Sequence, residues 1–190
     1  MAASATFPQA LPTLRDTIPD IVFHMRRRND ALGGPNPFEW KDVDSVDLFG
    51  GRNVVLFAVP GAFTPACSDS HLPGYGRLCD QFRDAGVDAV YCLSVNDAFV
   101  MHQWARSRDI EKVVMLPDGN GEFTRLPGML VQRTQHGMGL RSWRYSMHVV
   151  DGRIRKHFIE PGFRDDPPGV GLAVSDAETM LAYLQADASS

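Results

Sequence analysis

The segment best suited to chemistry surrounds a cysteine that closely follows a hydrophobic run. Residues 60–68 have the sequence Pro-Gly-Ala-Phe-Thr-Pro-Ala-Cys-Ser and come after the apolar residues 54–59. Thr64 is a good N-cap and Pro65 suits the first helical position, which places Cys67 in the first turn of a helix. A sulfur there faces unpaired backbone N–H groups and the positive end of the helix dipole, and both favour thiolate over thiol. These residues alone therefore predict either a reactive thiolate or an ordinary buried cysteine.

The string from Val59 to Ser68 closely resembles the active-site segment of the peroxiredoxins, specifically the Prx5 (type II) subfamily. The pattern Pro-x-x-x-Thr-x-x-Cys is specific, and residues 91–97, 117–123 and 141–147 resemble later landmarks of that subfamily. The resemblance covers residues 50–185 and implies a thioredoxin-like α/β fold, usually a homodimer. It also implies thiol-dependent reduction of hydrogen peroxide and alkyl hydroperoxides, with no metal or organic cofactor.

The resemblance implies a role for each residue of the predicted site. Cys67 is the peroxidatic nucleophile, Thr64 holds the sulfur and the peroxide oxygens, and Pro60 shields the sulfenate from water. Arg144 matches the arginine that stabilises the thiolate and polarises the O–O bond, and the backbone N–H groups of Ala66 and Cys67 complete the donor set. Such an arrangement makes physical sense because preorganised donors aimed at developing charge lower a barrier more than additional substrate binding does.

Three other basic side chains are weaker candidates. His71 lies four residues after Cys67, on the same face of the predicted helix. A general base or half of a metal site is conceivable there, but no third ligand has recognisable spacing and a preformed thiolate needs no base. We therefore expect His71 to belong to the local fold. Arg141 and Arg125 rank below Arg144 because neither occupies the matching position.

The route that reduces the resulting sulfenic acid depends on the other thiols. Cys79 is predicted in the same helix as Cys67, about 18 Å further along its axis, too far for a disulfide without unwinding. Cys92 occupies the position of a second cysteine in some type II peroxiredoxins, but its surroundings are typical of a buried strand. Val174 stands where other members carry a resolving cysteine. This pattern favours a one-Cys cycle served by glutathione and glutaredoxin. The alternatives are an atypical two-Cys enzyme that uses Cys92 with thioredoxin, and a non-catalytic peroxide sensor.

The elements that must position these residues alternate between strands and helices. Continuous apolar runs predict buried strands at 54–59 and 89–95, and a further strand is predicted at 113–116, with helices between them; this order favours parallel pairing. Residues 143–150 and 153–160 flank Asp151-Gly152, which predicts an antiparallel hairpin. Residues 175–178 resemble a capping box that opens a last helix. The result is an α/β fold with a mixed central sheet flanked by helices.

Length and composition limit the organisation and the partners. With 190 residues, 44% of them hydrophobic, the chain suits one globular domain. We expect the thioredoxin-like domain at 46–186 and an N-terminal arm or peripheral strands of the same domain at 1–45. A formal charge of −4 provides no basic field for nucleic acid or anionic lipid, and no apolar stretch is long enough for a membrane span. Because three cysteines form no secreted disulfide framework and no leader pattern opens the sequence, we expect a cytoplasmic location.

Overall fold

The computed structural model describes residues 15–35 and 37–187. Residues 1–14 of the predicted arm lie outside this range. The strands are β1 (Val22–Arg28), β2 (Phe38–Asp44), β3 (Asn53–Ala58), β4 (Ala89–Ser94), β5 (Val114–Pro117), β6 (Leu130–Arg133), β7 (Gly139–Ser142), β8 (Tyr145–Val150) and β9 (Arg153–Ile159). The helices are α1 (Ser45–Phe49), α2 (Leu72–Asp84), α3 (Ala98–Ser107), α4 (Glu122–Arg125) and α5 (Ala177–Asp187).

A five-stranded mixed sheet organises the chain, in the order β5-β4-β3-β8-β9. The pairs β3–β4 and β4–β5 are parallel, whereas β3–β8 and β8–β9 are antiparallel. This confirms the predicted mixed sheet. The turn between β8 and β9 has positive φ at both Asp151 (49°) and Gly152 (70°), as the hairpin prediction requires.

Strand β3 is buried on both faces of this sheet, as its continuous apolar sequence predicts. Val55 and Phe57 point into a core cluster completed by helices α2, α3 and α5. Val54 and Leu56 point into a second cluster on the opposite face, which includes residues of β1, β4, β5, β6 and β8 and of the short helices α1 and α4. Because successive strand residues face opposite sides, both faces need apolar side chains to bury the strand completely.

Two hairpins outside the main sheet were only partly predicted. Strands β1 and β2 pair antiparallel, inside the range 1–45 in which an N-terminal arm or peripheral strands were expected. The Trp40 and Phe38 rings of this hairpin contact Phe99 and His102 of α3. The β6–β7 hairpin was not predicted, because its four-residue strands are too short and too polar to show a clear period. None of the helices in the described ranges is long and apolar enough to cross a membrane.

The predicted capping box before α5 is wrong in detail. Asp176, not Ser175, caps the helix, since its carboxylate accepts the Thr179 N–H at 2.8 Å. The Ser175 hydroxyl instead donates to Glu160 at 2.7 Å. The Ser175 hydroxyl and N–H both donate to the buried Glu160 carboxylate, a strong charge-assisted acceptor, and Asp176 supplies the acceptor at the helix end instead.

Candidate active site

Cys67 lies where the chain leaves the central sheet and enters a helix. Strand β3 leads into the loop at Pro60 and a helix begins at Pro65, but residues Cys67–His71 wind as a single π-helical turn before α2. The Leu72 N–H therefore bonds to the Cys67 carbonyl, five residues back. Such turns frequently mark functional sites. The Cys67 side chain is fully buried, in the cluster between the sheet and the helices.

The segment on either side of Cys67 is held by side-chain contacts from other elements. The Asn96 amide oxygen accepts the Ala62 N–H at 3.0 Å, and the Trp104 indole N–H of α3 donates to the Ser68 hydroxyl at 3.0 Å. Phe63 has φ of 62°, a left-handed conformation that is unusual for a bulky residue. These contacts fix where the chain enters the helix, and therefore where the sulfur lies.

Thr64 does not cap the helix with its side chain. Its backbone carbonyl accepts the Ser68 N–H at 2.9 Å, so the helix begins where predicted. Its hydroxyl, however, donates to the Gly61 carbonyl at 2.9 Å. Since a hydroxyl has one proton, it cannot donate to Cys67 at the same time. Contact of Thr64 with the sulfur or with a peroxide therefore stays a prediction, as does the shielding role of Pro60, which is buried beside the loop.

Arg144 is the basic side chain that reaches the sulfur. Its Nη2 lies 3.4 Å from Cys67 Sγ, and the residue is 2% exposed. The two lower-ranked candidates lie elsewhere. Arg141 donates to the carbonyls of Met138 and Val95, and Arg125 is exposed on α4. The fold thus places the Arg144 guanidinium next to Cys67, although the two residues are 77 positions apart in the sequence.

His71 connects Arg144 to the backbone near α5. Its Nδ1 lies 3.0 Å from Arg144 Nη1, and its Nε2 lies 3.0 Å from the Ser175 carbonyl oxygen. Arginine only donates and a carbonyl only accepts, so the imidazole is neutral with its proton on Nε2. Burial, followed by the charge of Arg144, lowers the pKa of His71 to about 3. His71 is therefore a positioning residue for Arg144, a role that sequence reasoning missed because the partner is 73 residues away.

We expect the burial of neutral His71 to make folding stability depend on pH. The imidazole titrates near 6.5 when unfolded and near 3 when folded, so the unfolded chain takes up a proton first as the pH falls. The stabilisation present above pH 6.5 is lost progressively between these values, at about 1.4 kcal/mol per pH unit. We expect the free energy of unfolding to fall between pH 7.5 and pH 5.0 in both proteins, but by about 2 kcal/mol less in His71→Gln than in wild type. Denaturant unfolding of the reduced proteins at the two pH values measures this difference.

The matched control for this prediction is His136→Gln, since His136 is exposed. That variant should retain the wild-type difference in unfolding free energy between the two pH values. Equal pH dependence in wild type and His71→Gln would show that His71 is not the responsible group.

The other two cysteines are free and buried. Cys79 lies in α2, in the helical run that contains Cys67, as predicted. Cys92 lies on β4, the strand next to β3 in the sheet, and pairs with Phe57. Burial raises the pKa of the Cys92 thiol well above its ordinary value, and the nearby Cys67 raises it further. Cys92 lies in the same core cluster as Cys67, and its raised pKa favours the protonated, poorly nucleophilic form.

No group of three His, Cys, Asp or Glu side chains within residues 15–35 and 37–187 is arranged to hold a metal ion. The groups joined by hydrogen bonds at Cys67 are its sulfur, the Arg144 guanidinium and the neutral His71 imidazole. Such a set suits nucleophilic attack by a thiolate on a neutral electrophile that acquires negative charge.

Comparison with known proteins also relates this chain to proteins of thiol chemistry. A family model described as Redoxin matches residues 16–181. A peroxiredoxin from Synechocystis is 55% identical over 170 residues, which cover 90% of each chain. The hybrid peroxiredoxin hyPrx5 of Haemophilus influenzae is 46% identical over 88% of this chain and 64% of its own length.

A solved structure shares the architecture. The Plasmodium falciparum antioxidant protein, described as a 1-Cys peroxiredoxin, superimposes with a TM-score of 0.83 at 31% identity, covering 90% of this chain and 98% of its own. This match confirms the predicted thioredoxin-like fold with a mixed sheet flanked by helices.

Proposed function

Because this chain belongs to the redoxin family and is a peroxiredoxin of the Prx5 type, we propose that Cys67 is the thiolate that attacks the peroxide. Peroxiredoxins are thiol peroxidases, and the chain is accordingly an oxidoreductase that reduces peroxides. The observation that carries the assignment to Cys67 is the contact of 3.4 Å between its sulfur and Arg144 Nη2. Hydrogen peroxide and alkyl hydroperoxides are the proposed substrates.

In the proposed reaction, the Cys67 thiolate attacks one peroxide oxygen. A sulfur–oxygen bond forms as the O–O bond breaks, and the second oxygen leaves as hydroxide or alkoxide, which takes up a proton. Cys67 becomes a sulfenic acid, oxidised by two electrons, while the peroxide is reduced to water or an alcohol. Arg144 stabilises the thiolate before attack and the leaving oxygen during it. Its buried Nε has no hydrogen-bond partner among the described residues and is available to an oxygen in the site.

The remaining predicted site residues complete this proposal. Thr64 would rotate its hydroxyl from the Gly61 carbonyl toward the sulfur or a bound oxygen. The N–H groups of Ala66 and Cys67, at the start of the helix, would donate to peroxide oxygen. Pro60 would keep water from the sulfenic acid.

We propose regeneration by an external thiol, glutathione with glutaredoxin. The glutathione thiol attacks the sulfenic acid, releases water and leaves a mixed disulfide on Cys67; glutaredoxin or a second glutathione then reduces it. The buried position and raised pKa of Cys92, together with valine at position 174, support this route. The structural similarity to a protein described as a 1-Cys peroxiredoxin supports it too.

Peptide mapping by mass spectrometry tests the route. After one equivalent of hydrogen peroxide followed by glutathione, we expect a glutathione adduct on Cys67 in the wild-type protein. Cys92→Ser should turn over with glutathione and glutaredoxin within about twofold of wild type, because a buried, protonated thiol contributes little to exchange. Cys79→Ser is the matched control.

The competing candidate is an atypical two-Cys peroxidase served by thioredoxin. It is favoured because Cys92 and Cys67 lie in the same core cluster. Detection of a Cys67–Cys92 disulfide after peroxide alone, together with loss of turnover in Cys92→Ser, would replace the one-Cys route by this one.

A homodimer and a cytoplasmic location complete the proposal. The first rests on the resemblance to the subfamily, and sedimentation should give twice the 21.0 kDa mass of one chain. The second rests on cysteine usage in the sequence.

A further inference from the structure

Glu160 is a buried carboxylate that the proposed reaction does not use. It follows β9 and is 1% exposed. Its carboxylate accepts the N–H groups of three successive residues, 173–175, and also the Ser175 hydroxyl, at 2.7–3.0 Å. We call residues 173–175 the strap.

These bonds are of the strong, charge-assisted kind. A carboxylate surrounded by convergent N–H groups is stable without a cation, because the backbone dipoles balance its charge. Four of the five contacts are to Oε1, including the Ser175 N–H at 2.8 Å. The strap is thus anchored to the sheet by one side chain.

The anchored strap supports the candidate active site directly. The Ser175 carbonyl accepts from His71 Nε2 at 3.0 Å and from the Tyr75 hydroxyl at 3.0 Å. His71 in turn accepts from Arg144 Nη1 at 3.0 Å, while Arg144 Nη2 faces the Cys67 sulfur. A continuous series of hydrogen bonds therefore leads from Glu160 to the sulfur.

Glu160 also touches Arg144 through the backbone. Its N–H donates to the Arg144 carbonyl at 3.1 Å, and its own carbonyl accepts the Trp143 indole N–H at 2.8 Å. The same residue therefore holds Arg144 at the main chain and, through the strap and His71, at the guanidinium.

We propose that Glu160 is a positioning residue for peroxide reduction, which holds the strap so that the Ser175 carbonyl and His71 aim the Arg144 guanidinium at Cys67. This inference rests on the proposed function of Cys67. It predicts that loss of the carboxylate impairs the reaction with peroxide specifically. Attack of a thiol on the Cys67 sulfenic acid releases water and not the Cys67 thiolate, so this step depends far less on that alignment.

Glu160→Gln is the variant that tests the proposal, because the amide has the size of the carboxylate but lacks its charge and places an NH2 group against a strap N–H. We expect the second-order rate constant for peroxide to fall about tenfold, since misaligned donors lose much of their effect. The rate constant for attack of glutathione on the Cys67 sulfenic acid should stay within about twofold of wild type. The NMR signal of the His71 Nε2 proton is observable while that proton is hydrogen-bonded to the Ser175 carbonyl. This signal should broaden in Glu160→Gln because the bond to the strap is weakened.

The matched control is Asp176→Asn, which weakens the cap of α5 one residue beyond the strap and touches neither His71 nor Arg144 in the bonds that Asp176 makes. It should lose stability but retain both rate constants and the His71 signal. If Glu160→Gln does not fold, Ser175→Ala removes one bond to the carboxylate and should shift the same readouts, by about twofold to threefold in rate.

The inference would be overturned if Glu160→Gln and Asp176→Asn had the same rate constants and the same His71 signal. It would also be overturned if the peroxide rate constant and the His71 signal of Glu160→Gln were those of wild type. Failure of the proposed function is distinguishable. It would appear as absence of Cys67-dependent turnover in the wild-type protein, whereas the His71 signal reports on the strap whether or not the protein turns over.

Discussion

Replacing Cys67 with serine is expected to lower the second-order rate constant for peroxide reduction by at least about a thousandfold. Serine keeps the size of the side chain and the start of the helix, but its hydroxyl does not ionise near neutral pH. Arg144 would then face a neutral oxygen in place of the sulfur that lies 3.4 Å from its Nη2. The proposed nucleophile would be lost while the fold stays intact.

Stopped-flow measurement of peroxide consumption with a thiol reductant checks this, with Cys79→Ser as the matched control. Cys79 is also buried and in the same helical run, so that variant should retain the wild-type rate constant. Peroxide consumption by wild type no faster than by Cys67→Ser would instead indicate a non-catalytic peroxide sensor.

Arg144→Met is expected to have the second largest effect, a fall of about a hundredfold to a thousandfold in the same rate constant. Methionine fills part of the buried volume but removes the donor facing the sulfur and the donor to His71 Nδ1. The thiolate and the leaving oxygen would both lose a preorganised positive group. Arg144→Lys should recover only part of the rate, because a single ammonium cannot reproduce both guanidinium contacts.

Arg125→Met is the control for Arg144→Met, since Arg125 is exposed on α4 and lies outside the site. Its rate constant should match wild type. Should Arg144→Met react with peroxide as fast as Arg125→Met while remaining folded, the polarising role of Arg144 would be wrong. Circular dichroism and unfolding curves of both variants establish that the comparison is between folded proteins.

The central sheet was predictable because its strands carry strong local signals. Strands β3 and β4 are apolar on both faces, and Asp151-Gly152 adopts the two positive φ values that a tight hairpin needs. The β6–β7 hairpin lacks any such pattern, and the role expected of Ser175 at the start of α5 was wrong. Ser175 and Asp176 were both able to cap this helix, and Asp176 does so because the Ser175 hydroxyl donates to Glu160. Glu160 lies outside the capping motif, so the motif alone does not predict this outcome.

The sequence by itself determined the position of Cys67, because a buried strand, a proline-containing loop and a helix start are encoded within fifteen consecutive residues, 54–68. It also singled out Arg144 through resemblance. Only the tertiary structure decided how Arg144 is held. Its partners His71 and Cys67 lie 73 and 77 residues away, and His71 meets Ser175 across 104 residues. Hydrogen bonds of this kind depend on how sheet and helices pack, and no local spacing in the sequence specifies them.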